Sequence, residues 1–228
     1  MGAGLVSIPF SSKRTLKMRV TLIIDSPEGT KQGSSVMEMK WTGSAPIAGS
    51  LFSGSRRLEG QAPYIQIGSD RAIFVLLTKT STTRGLDRLV HQATEGRGID
   101  QQLTETINRN DWENGFPELK RKRVSGVAVD EYMPAFAWVT DVNNPVSARV
   151  IERSQFGRIG IGYAFQELAF EFLPDSTPID LDLPEHFPEL ARADYWFDEN
   201  GNRKRPMPSM EKGTKIPSHR HFYSVGDS

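Results

Sequence analysis

Cysteine is absent from this chain of 228 residues. Its absence excludes disulfides, thiol nucleophiles, iron–sulfur clusters and thiolate zinc sites. An excess of either charge is lacking too: 28 Lys plus Arg balance 28 Asp plus Glu. A balanced chain has no global field to draw in nucleic acid or anionic lipid, so no nucleic-acid partner is expected. Long apolar runs are missing. The longest run of strongly apolar residues spans Ile73 to Leu77, far short of the roughly 18–20 residues that cross a bilayer. No transmembrane segment is expected.

The opening residues follow no targeting pattern. Lys13, Arg14 and Lys17 come after the short apolar patch, where a signal peptide has its charge first. Val6 stands where myristoylation wants Ser or Thr. A cytoplasmic location is expected, with association with the cell envelope as the alternative. Neither GxSxG nor HExxH occurs, and the chain has no internal repeat.

What is present is a pattern of strands. Val20, Leu22 and Ile24 alternate with Arg19, Thr21 and Asp25. After the turn residues Ser26-Pro27-Glu28-Gly29, Met37, Met39 and Trp41 alternate with Glu38 and Lys40. This predicts a β-hairpin over 18–41 with a long loop. Ile65 and Ile67, a turn at Gly68-Ser69-Asp70 and the run AIFVLL predict a second hairpin, its return strand covered on both faces. Between 83 and 95 the period changes. Leu86, Leu89, Val90 and Ala93 mark one face of an amphipathic helix, and a second helix is predicted over 100–112. Strands are predicted again at 124–129, 135–141, 159–165 and 168–173.

The fold expected is therefore α+β: mostly antiparallel β-sheet with a helical insertion around 83–112. Residues 1–16 read as a flexible arm, 17–195 as a single domain and 196–228 as an extended tail, rich in Gly, Pro, Lys and Arg.

Candidate sites each have a plainer reading. The run KRKR at 120–123 has no interleaved aromatics and reads as a solvated strand entry. Gly157, Gly160 and Gly162 have the wrong spacing for a dinucleotide loop and read as bends or close packing. Asp141, Asn143 and Glu152 match three positions of a calcium loop, but Pro145 takes a ligand position and Val146 replaces the required glycine. Asp180, Asp182, Glu185 and His186 could serve a hydrolase. Their alternation with Ile179, Leu181 and Leu183 predicts instead the polar face of an edge strand. His219 and His221 lie two apart and would share one side of an extended chain, without a visible third zinc ligand. No metal or cofactor is expected.

Several segments together resemble a family of uncharacterised bacterial proteins. VTLIIDSPEGTKQGSSVMEM is similar to that family's opening hairpin, with its "TPEG" turn and "GSSV-E" return strand. GQAPYIQIGSDRAIFVLL, PAFAWVTDVNNPVSARVIE and LAFEFLPDSTPI resemble later segments. No activity is assigned to the family, so the resemblance transfers no site residue. It implies that the hairpins are fixed features. The function expected is a non-catalytic binding or assembly module, its partner unknown, possibly another protein. The alternatives are a hydrolase using dispersed carboxylates and a phage- or mobile-element-derived accessory protein.

Overall fold

In the computed structural model, which describes residues 11–44, 54–77, 85–94, 97–99, 119–191 and 223–224, the opening alternation becomes a long hairpin. Strand β1 runs Ser11–Ser26 and β2 runs Gly29–Ser44, in one unbroken register from Ser26↔Gly29 to Ser11↔Ser44. The expected long loop is a tight turn at Pro27–Glu28. The Ser26 hydroxyl closes it by donating to Gly29 O (2.7 Å) and accepting from Glu28 N (3.3 Å). The polar stretch after the turn is thus strand, and so is the segment from Ser11 to Leu16, expected as part of an arm. Both are polar enough to pass for loop, and pairing decides them. Leu16, Met18, Val20, Leu22 and Ile24 are buried along one face of β1. Each buried side chain of this kind contributes about 1.5–3 kcal/mol, so a one-residue slip would forfeit on the order of 10 kcal/mol.

The remaining elements in chain order are β3 (Gly54–Gln61), β4 (Tyr64–Ile67), β5 (Arg71–Val75), α1 (Asp87–Thr94), β6 (Ser125–Val127), β7 (Phe136–Val139), β8 (Ala148–Ile151), β9 (Ala164–Leu173), α2 (Leu183–His186), α3 (Pro188–Ala191) and β10 (Tyr223–Ser224). Among the described residues they make two antiparallel sheets. One has six strands in the order β10-β3-β2-β1-β9-β6, and the other four in the order β4-β5-β7-β8. The architecture is α+β and mostly sheet, as the alternation predicts. Buried residues of both sheets and all three helices form one apolar cluster. The run through β5 is buried on both faces, and Leu89, Val90 and Ala93 are buried on the inward side of α1, with Leu86 buried just before its start. Gln92 pins that helix to the large sheet. Its Nε2 donates to Arg97 O (2.9 Å) and Val127 O (2.6 Å), and its Oε1 accepts from Val129 N (3.0 Å).

Two further expectations need correction. The segment 159–165 is not a strand of its own. A 3-10 helix at Arg153–Arg158 leads into a turn through Gly160 and Gly162, and Ala164 begins β9. Gly162 has φ +84°, which ends any ladder there, and Ile161 projects 98% exposed from the turn. Residues 179–183 are not an edge strand either, because α2 and α3 follow at once and Leu183 turns into the core. Of the segment expected as a tail, Tyr223 pairs with Gln61 and Ser224 with Gly60, and the rest lies outside the described residues. The helix expected over 100–112 lies outside the described residues.

Candidate functional site

The place where β3 leaves β2 organises the site. Their pairing runs from Gly43↔Gly54 to Glu38↔Glu59 and stops. Gly60 makes the departure possible: it has φ +129°, and a Cβ there would come within 3.0 Å of Met37 Cβ. The chain then passes through Ala62 and Pro63 into β4 of the other sheet. Beyond Met37, β2 has lost its neighbour on that side.

Asp180 fills the first vacated position. Its backbone N–H donates to Val36 O (3.0 Å), and its Oδ2 accepts from Val36 N (2.8 Å). One residue thus stands in for a strand partner. Asp182 takes a second bond: Gln61 Nε2 donates to its Oδ1, and Gln61 Oε1 accepts from Leu183 N at 2.6 Å. Gln61 is buried, so its amide finds both partners in the 182–183 segment.

Further along, Gly33 carries the contact between the sheets. A Cβ at Gly33 would fall 1.7 Å from Tyr64 O, so only glycine lets β4 cross β2 this closely. The Tyr64 ring lies edge-on to Phe187 (centroids 4.9 Å) and near Phe74 (5.5 Å). Burial, then the Asp182 charge, pushes the Tyr64 hydroxyl above the usual tyrosine range. A groove of about 590 Å³ follows, bounded by Lys31–Ser34 on one side and by Gln61, Tyr64, Gln66, Asp180 and Asp182 on the other.

Of the expected site residues, Asp180 and Asp182 line this groove. His186 stands beside it, Nε2 3.6 Å from Asp182 Oδ2 and its ring 6.4 Å from Tyr64. Glu185 is exposed on α2, its N–H bonded to Asp182 O (2.9 Å), and does not line the groove. His219 and His221 lie outside the described residues. Among the described residues, no group of three His, Asp or Glu side chains could hold a metal ion. Gln61, Tyr64 and Gly33 belong to the site and had no local sign in the sequence.

The other expected features fall elsewhere. Lys120 pairs with Asp175 (2.7 Å) and Arg123 with Glu171, so two cations of the KRKR run meet carboxylates on the surface. Asp141 caps its own turn, with Oδ1 accepting from Asn143 N (3.0 Å). A larger cleft, about 780 Å³, opens between Asp130, Arg153, Phe156, Tyr163 and Phe165. Its cation is occupied: Arg153 stacks on Phe165 (5.1 Å) and is paired with Asp130. Among the described residues, no helix is long and apolar enough to cross a membrane.

Among the described residues, fold and groove define a two-sheet α+β architecture with a polar groove at an interrupted strand edge. No family model, curated protein or solved structure matches this chain.

Proposed function

We propose that the protein is a non-catalytic binding module whose partner is another protein. The observation that supports this is the use made of Asp180 and Asp182. A hydrolytic carboxylate pair presents free oxygens to a substrate from a sheltered pocket. Here one oxygen of Asp180 replaces a strand partner for Val36, and one oxygen of Asp182 holds the Gln61 amide. Asp182 is also exposed, as is His186. The acidic cluster braces the segment before α2 against the large sheet, and the groove beside it is an open polar surface.

A hydrolase is the second reading, favoured by the approach of His186 to Asp182 at 3.6 Å. The two are separated by assaying the purified protein and its Asp182→Asn variant on chromogenic ester, phosphoester, glycoside and peptide substrates. The binding reading predicts no turnover that depends on Asp182. Turnover lost in a variant that keeps its melting temperature would overturn it.

A further inference from the structure

We infer that the outer edge of β2 from Thr30 to Ser34 accepts an extended, lysine- or arginine-bearing peptide as an added strand. The inference rests on the binding reading and names the class of partner.

Backbone direction comes first. Val36 turns its N–H and C=O away from β1, toward Asp180. In an antiparallel pair successive residues alternate in this respect. The β1–β2 register runs without a shift, so Gly29, Lys31, Gly33 and Ser35 bond to β1. Thr30, Gln32 and Ser34 turn their N–H and C=O groups outward, on the side that β3 has left. All three residues are exposed, and among the described residues no strand pairs with them there.

Such an edge is a template for another backbone, and proteins usually blunt it with proline, a bulge or a buried charge. Between Thr30 and Ser34 there is no proline and no register shift, and the one charge, Lys31, is paired with Glu28. Asp180 already completes the neighbouring position with one donor and one acceptor, so an incoming strand would continue a line that the protein has begun. Unpaired amides and carbonyls in strand register call for an extended peptide. Charge narrows the choice. With Lys31 spent on Glu28, the charges left facing the groove are Asp180 and Asp182. A strand turns every second side chain to one face, so alternate lysines or arginines would meet those carboxylates.

The probe is a labelled, end-capped decapeptide of alternating lysine and threonine. Controls are the glutamate–threonine counterpart and the lysine–threonine peptide N-methylated at every second residue. Binding is followed by fluorescence anisotropy, and amide exchange by NMR on the unmodified protein. The lysine peptide is expected to bind at least tenfold tighter than either control. The Thr30, Gln32 and Ser34 amides should then exchange at least tenfold more slowly, while those of Lys31, Gly33 and Ser35, already bonded to β1, do not change. The combined variant Asp180→Asn and Asp182→Asn, which keeps both acceptors, should lose the preference for lysine over glutamate. Protection elsewhere, or equal binding of all three peptides, would overturn the inference. So would protection of the edge amides that rises with protein concentration alone, since the occupant would then be a second copy. These failures leave the non-catalytic reading standing, because that reading falls only to Asp182-dependent turnover.

Discussion

Replacing Gly33 with alanine should separate the two sheets at their closest crossing. Ordinarily this substitution in a strand gains roughly 0.5–1 kcal/mol, because glycine loses more freedom on folding. Here the new Cβ would sit 1.7 Å from Tyr64 O and 2.7 Å from Tyr64 C. Both are backbone atoms and cannot rotate aside. Tyr64 would have to retreat by more than about 1 Å to restore a normal contact, moving β4 and the ring that packs on Phe187. Overpacking of this kind costs about 1–3 kcal/mol, and the rigid obstacle places Gly33→Ala at about 3 kcal/mol. In a protein of this size that lowers the melting temperature by about 6–12 °C. The assay is urea unfolding followed by circular dichroism, with calorimetry for the melting temperature. Gly157→Ala is the control, since a Cβ there meets nothing within 4 Å, and it should stay within about 0.5 kcal/mol of the parent. A Gly33→Ala protein as stable as the parent would refute the crossing.

Three further outcomes can be checked in the same way. Gln92→Ala leaves two carbonyls and one N–H without their partner and should cost about 2–4 kcal/mol, with faster exchange of the Val129 amide. Ser35→Ala should hold or raise stability in urea unfolding, because Ser35 Oγ is buried without a hydrogen-bond partner. Stability should fall as pH rises above about 10. Tyr64 and Lys40 both have raised values in the folded state, Tyr64 from burial and Lys40 from its hydrogen bond to Glu59. A raised folded value gives a contribution that is complete below the unfolded value and lost as pH climbs through the folded one. Urea midpoints at pH 9 and pH 11 should show a smaller loss in Tyr64→Phe than in the parent.

The first hairpin was legible because one face alternates strictly, as at Val20, Leu22 and Ile24, and the second from Ile65 and Ile67 followed by the continuous apolar run of β5. Helix α1 was legible from the spacing of Leu86, Leu89, Val90 and Ala93. The stretch Thr30–Ser34 was not, since polar residues and two nearby glycines describe a loop equally well, and only pairing with β1 makes it strand. Ile159 and Ile161 misled for the opposite reason: they alternate, but Gly160 and Gly162 permit a turn that leaves Ile161 in solvent. The cluster of Asp180, Asp182 and His186 could be read locally because seven residues hold it. Its meaning could not, since Val36, Gln61 and Tyr64 reach it across more than a hundred residues of chain.

The stability of Asp180 variants decides most directly whether these carboxylates brace the fold or perform chemistry. Removing a brace destabilises, whereas removing a catalytic charge commonly leaves a protein as stable or more so. Urea unfolding of Asp180→Ala should show a loss of about 1–3 kcal/mol from the orphaned Val36 N–H. Asp180→Asn, which keeps an acceptor oxygen, should recover more than half of it. An Asp180→Ala protein equal to or more stable than the parent would contradict the structural role assigned to the acidic cluster.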